Sequence, residues 1–262
     1  MLLGDGSLKI HKGYKNARLS FRHSIKQKDW FFWKREQLKN WGLSAGNDVW
    51  EQQKGTDWSN HKLRYQSKAT HELTELFILV HKRGEKGNLR IWRKWLNQMD
   101  AQSLAIWWCD DGSLVSNTRQ GVFCTDGFAL RDVEVLSKYL KKVWEISTTI
   151  HSVGLNKKDE NPRYRLWIRS RSELEKFLRI IAPHIKVFSM LYKITFLYKD
   201  SQLQQRWISE LVRLTSFTQS EIEQVVNERK NSLKAFGHGR ATSQQAENDI
   251  VHSEKIKEKV IS

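Results

Sequence analysis

The sequence predicts an α+β fold built from two pseudo-symmetric αββαββα repeats, and three observations carry that prediction. The tetrapeptide Asp-Gly-Ser-Leu occurs at 5–8 and again at 111–114, 106 positions further on. The stretches after each copy alternate in the same order between helical and strand-like periodicity. The 262 residues are 39% hydrophobic, enough for a real core, yet they contain no apolar run of about 18 residues that could span a membrane.

The elements follow in order. In the first repeat, 1–100, "ARLSF" at 17–21 alternates as a strand and "QKDWFFWKREQLKNW" at 27–41 reads as a helix. "KLRYQSK" at 62–68 is again a strand and "THELTELFILVHK" at 70–82 a helix. In the second repeat, 101–200, the counterparts are "GVFC" at 121–124, "FALRDVEVLSKYLKKVW" at 128–144, "RYRLWIRSR" at 163–171 and "RSELEKFLRIIAPHI" at 171–185. The first long helix of each repeat ends in a tryptophan, Trp41 and Trp144. The stretch "AQSLAIWWCD" before the second tetrapeptide is apolar on nearly every face, as a helix buried all round must be. Asp100 or Ser103 is placed to cap its start and Gly112 to terminate it. Residues 201–262 read as an appendage: two helical stretches to about 236, then a polar tail after Gly237.

Charge narrows the partner. The net charge is +16, with an isoelectric point near 9.8. Residues 1–100 carry 20 Lys and Arg against 10 Asp and Glu, whereas residues 201–262 carry 9 against 8. Such a field attracts polyanions. The strands show where the charge points. Arg18, Ser20 and Arg22 share one face of their strand, and Lys62, Arg64, Gln66 and Lys68 share one face of another. Arg163, Arg165, Trp167, Arg169 and Arg171 share one face of a third. One such strand would be an ordinary solvated face. Three in a chain of this charge make a cationic shelf that can lie in a major groove and reach phosphates and base edges. Cys109 and Cys124 have no CxxC spacing and make neither a zinc site nor a disulfide framework. Cys109 reads as core. "WFFW" at 30–33 reads as helix core rather than a platform for bases, and the twelve tryptophans have no functional reading.

The repeated Asp-Gly falls at the end of the apolar helix. A carboxylate there faces the negative end of the helix dipole, which a divalent cation would reverse. Two such helices packed in parallel would bring Asp5 and Asp111 together, an arrangement suited to Mg²⁺ and to in-line phosphoryl displacement. A lone Asp-Gly would be a turn; its duplication at matching places argues otherwise.

"LLGDGSL" at 2–8 and "LAIWWCDDGSL" at 104–114 resemble the two motifs of the LAGLIDADG homing endonucleases in their single-chain, two-motif form. The resemblance extends through "TDGFALRDVEVLSKYLKK" and "RSELEKFLRIIAPHIKVFSMLYKI", which are similar to segments of the intron-encoded branch, and it covers residues 1 to about 200. It implies a monomeric DNA-binding saddle with the motif helices at its interface, cutting both strands of double-stranded DNA at a long, asymmetric site. It implies Asp5 and Asp111 as catalytic and metal-binding acids, with Gly4 and Asp110 beside them offering backbone carbonyls. A lysine near the centre in each half maps to Lys86, in "RGEKGN", and Lys193, in "MLYK", 81 positions after Asp5 and 82 after Asp111. Arg18, Arg22, Arg64, Gln66, Lys68, Arg163, Arg165 and Arg169 become the DNA-contacting set. The nine histidines show no HxxxH or HNH-like grouping, so no other nuclease chemistry is supported. Two alternatives stay open: an intron maturase, an RNA-splicing cofactor on the same scaffold, and a DNA-binding protein impaired in catalysis. Met1 stands inside the first motif, so either an upstream segment is missing or the first interface helix is short. An organelle, mitochondrion or chloroplast, is expected over a bacterial cytoplasm.

Overall fold

The structure is a computed structural model and describes residues 1–52, 61–81, 89–115, 119–155 and 161–233. Its first half runs β1 (Ser7–Lys9), β2 (Arg18–Ser24), α1 (Lys28–Asn40), β3 (Val49–Gln52), β4 (Lys62–Gln66), α2 (His71–Val80) and a short α3 (Arg93–Leu96). The second runs α4 (Ala101–Asp111), β5 (Gly112–Val115), β6 (Gln120–Phe123), α5 (Leu130–Val143), β7 (Thr149–Leu155), β8 (Pro162–Ile168) and α6 (Arg171–Ile181). A 3₁₀ segment (Phe188–Lys193), α7 (Ser201–Leu214) and a helix over 219–233 follow.

The two four-stranded antiparallel sheets have the same spatial order, β1-β2-β4-β3 and β5-β6-β8-β7. Period-two alternation decides what each sheet buries. On β2 and β4, Leu19, Phe21, Leu63 and Tyr65 are buried, while Arg18, Arg22, Arg64 and Gln66 stay on the open face. On β8, Leu166 and Ile168 are buried and Arg163 and Arg165 are on the open face, with Arg169 exposed just beyond it. Helices cover the apolar side: Phe31 and Leu38 of α1 pack on Phe21 and Tyr65, and Phe177 of α6 packs edge-on against Phe123 and Trp108.

Three features differ from the sequence reading. Leu2 to Asp5 form a turn rather than a helix, held by Gly4 N–H and Gly6 N–H donating to the Met1 carbonyl at 2.9 and 3.1 Å. Gly112 does not adopt the left-handed conformation of a helix terminator; at φ −82° and ψ 152° it passes straight into β5. Glycine is required there for space, because a Cβ would lie 2.1 Å from the Trp108 ring. Residues 201–233 are also no appendage. Trp207, Ile208, Leu211, Ile222 and Val225 belong to the same core as Trp108, Phe123 and Phe177. Among the described residues, no helix is long and apolar enough to cross a membrane.

Candidate functional site

The site forms where α4 ends beside the first turn of the chain. Asp100 caps α4, its carboxylate accepting from Ser103 N–H at 2.7 Å, and Leu104 through Cys109 are all buried. Burial pushes the Cys109 thiol up to about 12, as expected of an inert core cysteine. The helix therefore has one fixed place, and its last residue, Asp111, is delivered to the start of β5, near enough to Asp5 to feel its charge. Lys193 locks that end: its buried Nζ donates to the Gly112 carbonyl at 2.5 Å, and Trp108 Nε1 donates to the Lys193 carbonyl at 2.8 Å. Lys193 is held in turn from the C-terminal helices. Trp207 Nε1 donates to the Ile194 carbonyl at 3.2 Å, Gln204 to that of Phe196, and Arg229 to that of Tyr192.

Asp5 ends the turn over residues 2–5 and opens into a groove lined by Ser7, Lys9, Arg22, Arg64 and Gln66. Burial and then the charge of Asp110 raise its carboxyl to about 6. Burial, then Asp5, then Asp110 raise Asp111 to about 7. Asp110 behaves in the opposite way. Burial alone would raise it, but the Lys34 ammonium beside it holds it below the usual carboxylate range. Its Oδ1 accepts from Lys34 Nζ and Trp30 Nε1, both at 2.8 Å, with neither side chain of the ion pair exposed. Asp110's carboxylate is thus engaged by protein donors, and a metal role for it rests on the backbone carbonyl alone. His23 lies behind Asp5, Nδ1 3.7 Å from Asp5 Oδ2, and burial followed by Lys34 pushes it down to about 4, so it is a neutral imidazole at physiological pH. Donor atoms of Asp5, His23 and Asp110 all lie within 4.8 Å of one another.

Asp5 and Asp111 are hard-oxygen donors of the kind that suits a small divalent cation, but the close group of candidate ligand atoms among the described residues contains Asp5 and not Asp111. Gly4 lies in this centre too, pressed against Asp110. Lys86 falls outside the described residues.

The cationic residues lie as the strand period requires. Arg22 and Arg64 are directly paired across β2 and β4, and Ser20 pairs with Gln66. Arg18 sits over the Tyr14 ring and Arg64 over that of Trp50. Lys68 is exposed just beyond β4. On β8, Arg165 makes a two-pronged bond to Asp126 at 2.9 and 2.8 Å; just beyond the strand, Arg169 lies over Trp167 with Nε 3.1 Å from His151. The sequence reading missed Lys34, Trp30, His23 and Asp126. A signal for Lys34 was present: with Trp30 and Leu38 it recurs every four residues on the buried stripe of α1, where a lysine needs a partner.

A model of the LAGLIDADG DNA endonuclease family matches residues 1–177. The chain belongs to that family. Two curated relatives are each called cytochrome b mRNA maturase bI2. The one from Saccharomyces cerevisiae is 25% identical over 74% of this chain and 45% of its own length. The one from Debaryomyces hansenii is 26% identical over 74% of this chain and 70% of its own. The chain therefore spans less than half of the first of these relatives. The solved structure of the homing endonuclease I-WcaI bound to its DNA recognition sequence superposes with a TM-score of 0.59 at 21% identity, covering 75% of this chain and 83% of that one. That likeness places this LAGLIDADG chain in the same fold. The tryptophans gain an account as well. Trp30, Trp107, Trp108 and Trp207 are fully buried, and three of these four use the indole N–H to fix backbone or carboxylate around the site.

Proposed function

We propose that this LAGLIDADG protein is a metal-dependent endonuclease that binds double-stranded DNA on its two sheets and cuts both strands at a long, asymmetric site. What supports the reading is the family match together with the repeated acids Asp5 and Asp111, near enough for the charge of Asp5 to raise the proton affinity of Asp111, each leading into a sheet with a basic open face. Asp5 and Asp111 would hold Mg²⁺, with the carbonyls of Gly4 and Asp110 beside them. The ion would supply an activated water and stabilise the leaving 3′ oxygen. The chain's own residues do the rest. Lys193 fixes the end of α4 and would bring its positive charge to bear on Asp5, Asp111 and a phosphate bound there, and Lys86 is proposed for the same part in the first half. Arg18, Arg22, Arg64, Gln66, Lys68, Arg163 and Arg169 would contact phosphates and base edges, while Arg165 is pre-oriented by Asp126. Arg22 opposite Arg64 supports a polyanion as the occupant, since like charges directly across a strand pair are unfavourable until neutralised. The chain would act as a monomer, because both halves of the site lie on it.

The names of the two relatives favour a second reading, a maturase acting on intron RNA, and with it an organellar home. Selection of cleaved duplexes from a randomised library, with Mg²⁺ or with EDTA, tests the first reading. Splicing of the flanking intron RNA with and without the protein tests the second. Metal-dependent cleavage at a recovered site supports the nuclease; RNA splicing without any cleavable duplex replaces it by the maturase.

A further inference from the structure

The two acids reach the centre by unequal means. Asp111 is the last residue of an 11-residue buried helix. Asp5 ends the turn over residues 2–5, in which Gly4 and Gly6 donate to the Met1 carbonyl. The Asp5 N–H donates to Asp110 Oδ2 at 3.4 Å. We propose that the buried Lys34–Asp110 pair is the anchor of the Asp5 backbone, which makes Lys34 a positioning residue for the first acid of the site. The inference deepens the nuclease reading and takes its functional meaning from it.

Gly4 and Asp110 occupy matching places in the two motifs. With no side chain at Gly4, the carboxyl of Asp110 fills that space: a Cβ on Gly4 would lie 2.6 Å from Asp110 Cβ and 2.8 Å from Oδ2. The turn is therefore pressed onto this carboxylate. Its other oxygen is held from α1 by Trp30 Nε1 and Lys34 Nζ, and Nζ itself sits 4.8 Å from the Phe21 ring centre and 5.4 Å from that of Trp30. Stability alone does not account for such a pair, since apolar residues of similar volume often replace a buried ion pair without loss. What an apolar pair cannot do is present an acceptor oxygen to the Asp5 N–H. The linkage runs from α1 through Lys34 and Asp110 to Asp5.

Two variants of the full chain, both carrying Lys34→Met and Trp30→Phe so that no other donor competes, separate the anchor from the fold. Adding Asp110→Asn keeps an acceptor oxygen for the Asp5 N–H and leaves no buried charge. Adding Asp110→Leu leaves neither. Deuterium exchange at the Asp5 amide and Mn²⁺ binding followed by electron paramagnetic resonance, both without DNA, read the result. The asparagine variant should exchange and bind within about threefold of the parent. The leucine variant should exchange at Asp5 and release Mn²⁺ at least tenfold more readily while melting cooperatively. Parent-like exchange and binding in the leucine variant would overturn the proposal. If that variant does not fold, Gly4→Ala serves instead: it displaces the turn from Asp110 with Lys34 intact, and parent-like exchange there would overturn the proposal equally. Exchange that follows the anchor, in a parent that binds no Mn²⁺, would uphold the anchor and remove the metal reading.

Discussion

Lys34 Nζ and Asp110 Oδ1 lie 2.8 Å apart with both side chains fully buried. The pair compensates one carboxylate of the three at the end of α4. It leaves Asp5 and Asp111 with proton affinities raised first by burial, then by charge: that of Asp110 on Asp5, and those of Asp5 and Asp110 on Asp111. Asp110 is thus committed to the structure, and the proposed function assigns the chemistry to Asp5 and Asp111.

That division has a pH signature. Asp5 and Asp111 bind protons more tightly folded, at about 6 and about 7, than at their ordinary 3.8. Their contribution to stability is full below pH 4 and is lost as pH rises through 6 and 7. His23 acts oppositely, its contribution present above 6.5 and lost as pH falls toward 4. The share of Asp111 is the difference between the parent and Asp111→Asn. In EDTA the parent's melting temperature should decline relative to that of Asp111→Asn as pH rises from 4 through 7, and added Mg²⁺ should stabilise the parent more at pH 8 than at pH 6. A slope unchanged in Asp111→Asn would contradict the assignment.

The Arg22–Arg64 pairing predicts a trade between folding and binding. Arg64→Ala removes a like-charge contact across β2 and β4, so the free protein should melt no lower than the parent. If Arg64 contacts a phosphate, the variant should weaken binding to all duplexes alike and reduce the slope of log K against log salt by about 0.9. Calorimetry and salt-dependent gel shifts measure the two effects, and unchanged affinity would place Arg64 outside the interface.

Residues 201–233 are predicted to be integral. Trp207 is 2% exposed, packs near Phe196 and holds the Ile194 carbonyl beside Lys193. Trp207→Ala should cost about 3–5 kcal/mol in urea unfolding. A loss below about 1 kcal/mol would return these helices to the status of an appendage.

Much of this was legible in the sequence because it is local or repeated. A period of two put Arg22, Arg64 and Arg165 on open faces and Phe21, Tyr65 and Ile168 inside, and it needs only a few residues to be read. Duplication singled out Asp5 and Asp111. What escaped depends on distance through space. Lys34 finds Asp110 across 76 positions and Arg165 finds Asp126 across 39, and no local pattern names either partner. Gly112 was read by the usual conformational preference of glycine when the cause is the Trp108 ring. Residues 201–233 looked peripheral because their charge is balanced, yet charge balance says nothing about the apolar stripe that Trp207, Ile208 and Leu211 present to the core.

The central claim is that Asp5 and Asp111 together form a metal-dependent cutting centre. Strand-resolved cleavage of a library-selected duplex tests it most directly, with parent, Asp5→Asn and Asp111→Asn compared in Mg²⁺ and in EDTA. The account predicts that the parent cuts both strands only with metal, and that each variant loses double-strand cleavage while retaining most of its affinity, because the sheets supply the contacts. Asp111→Asn cutting both strands at the parent's rate would contradict it.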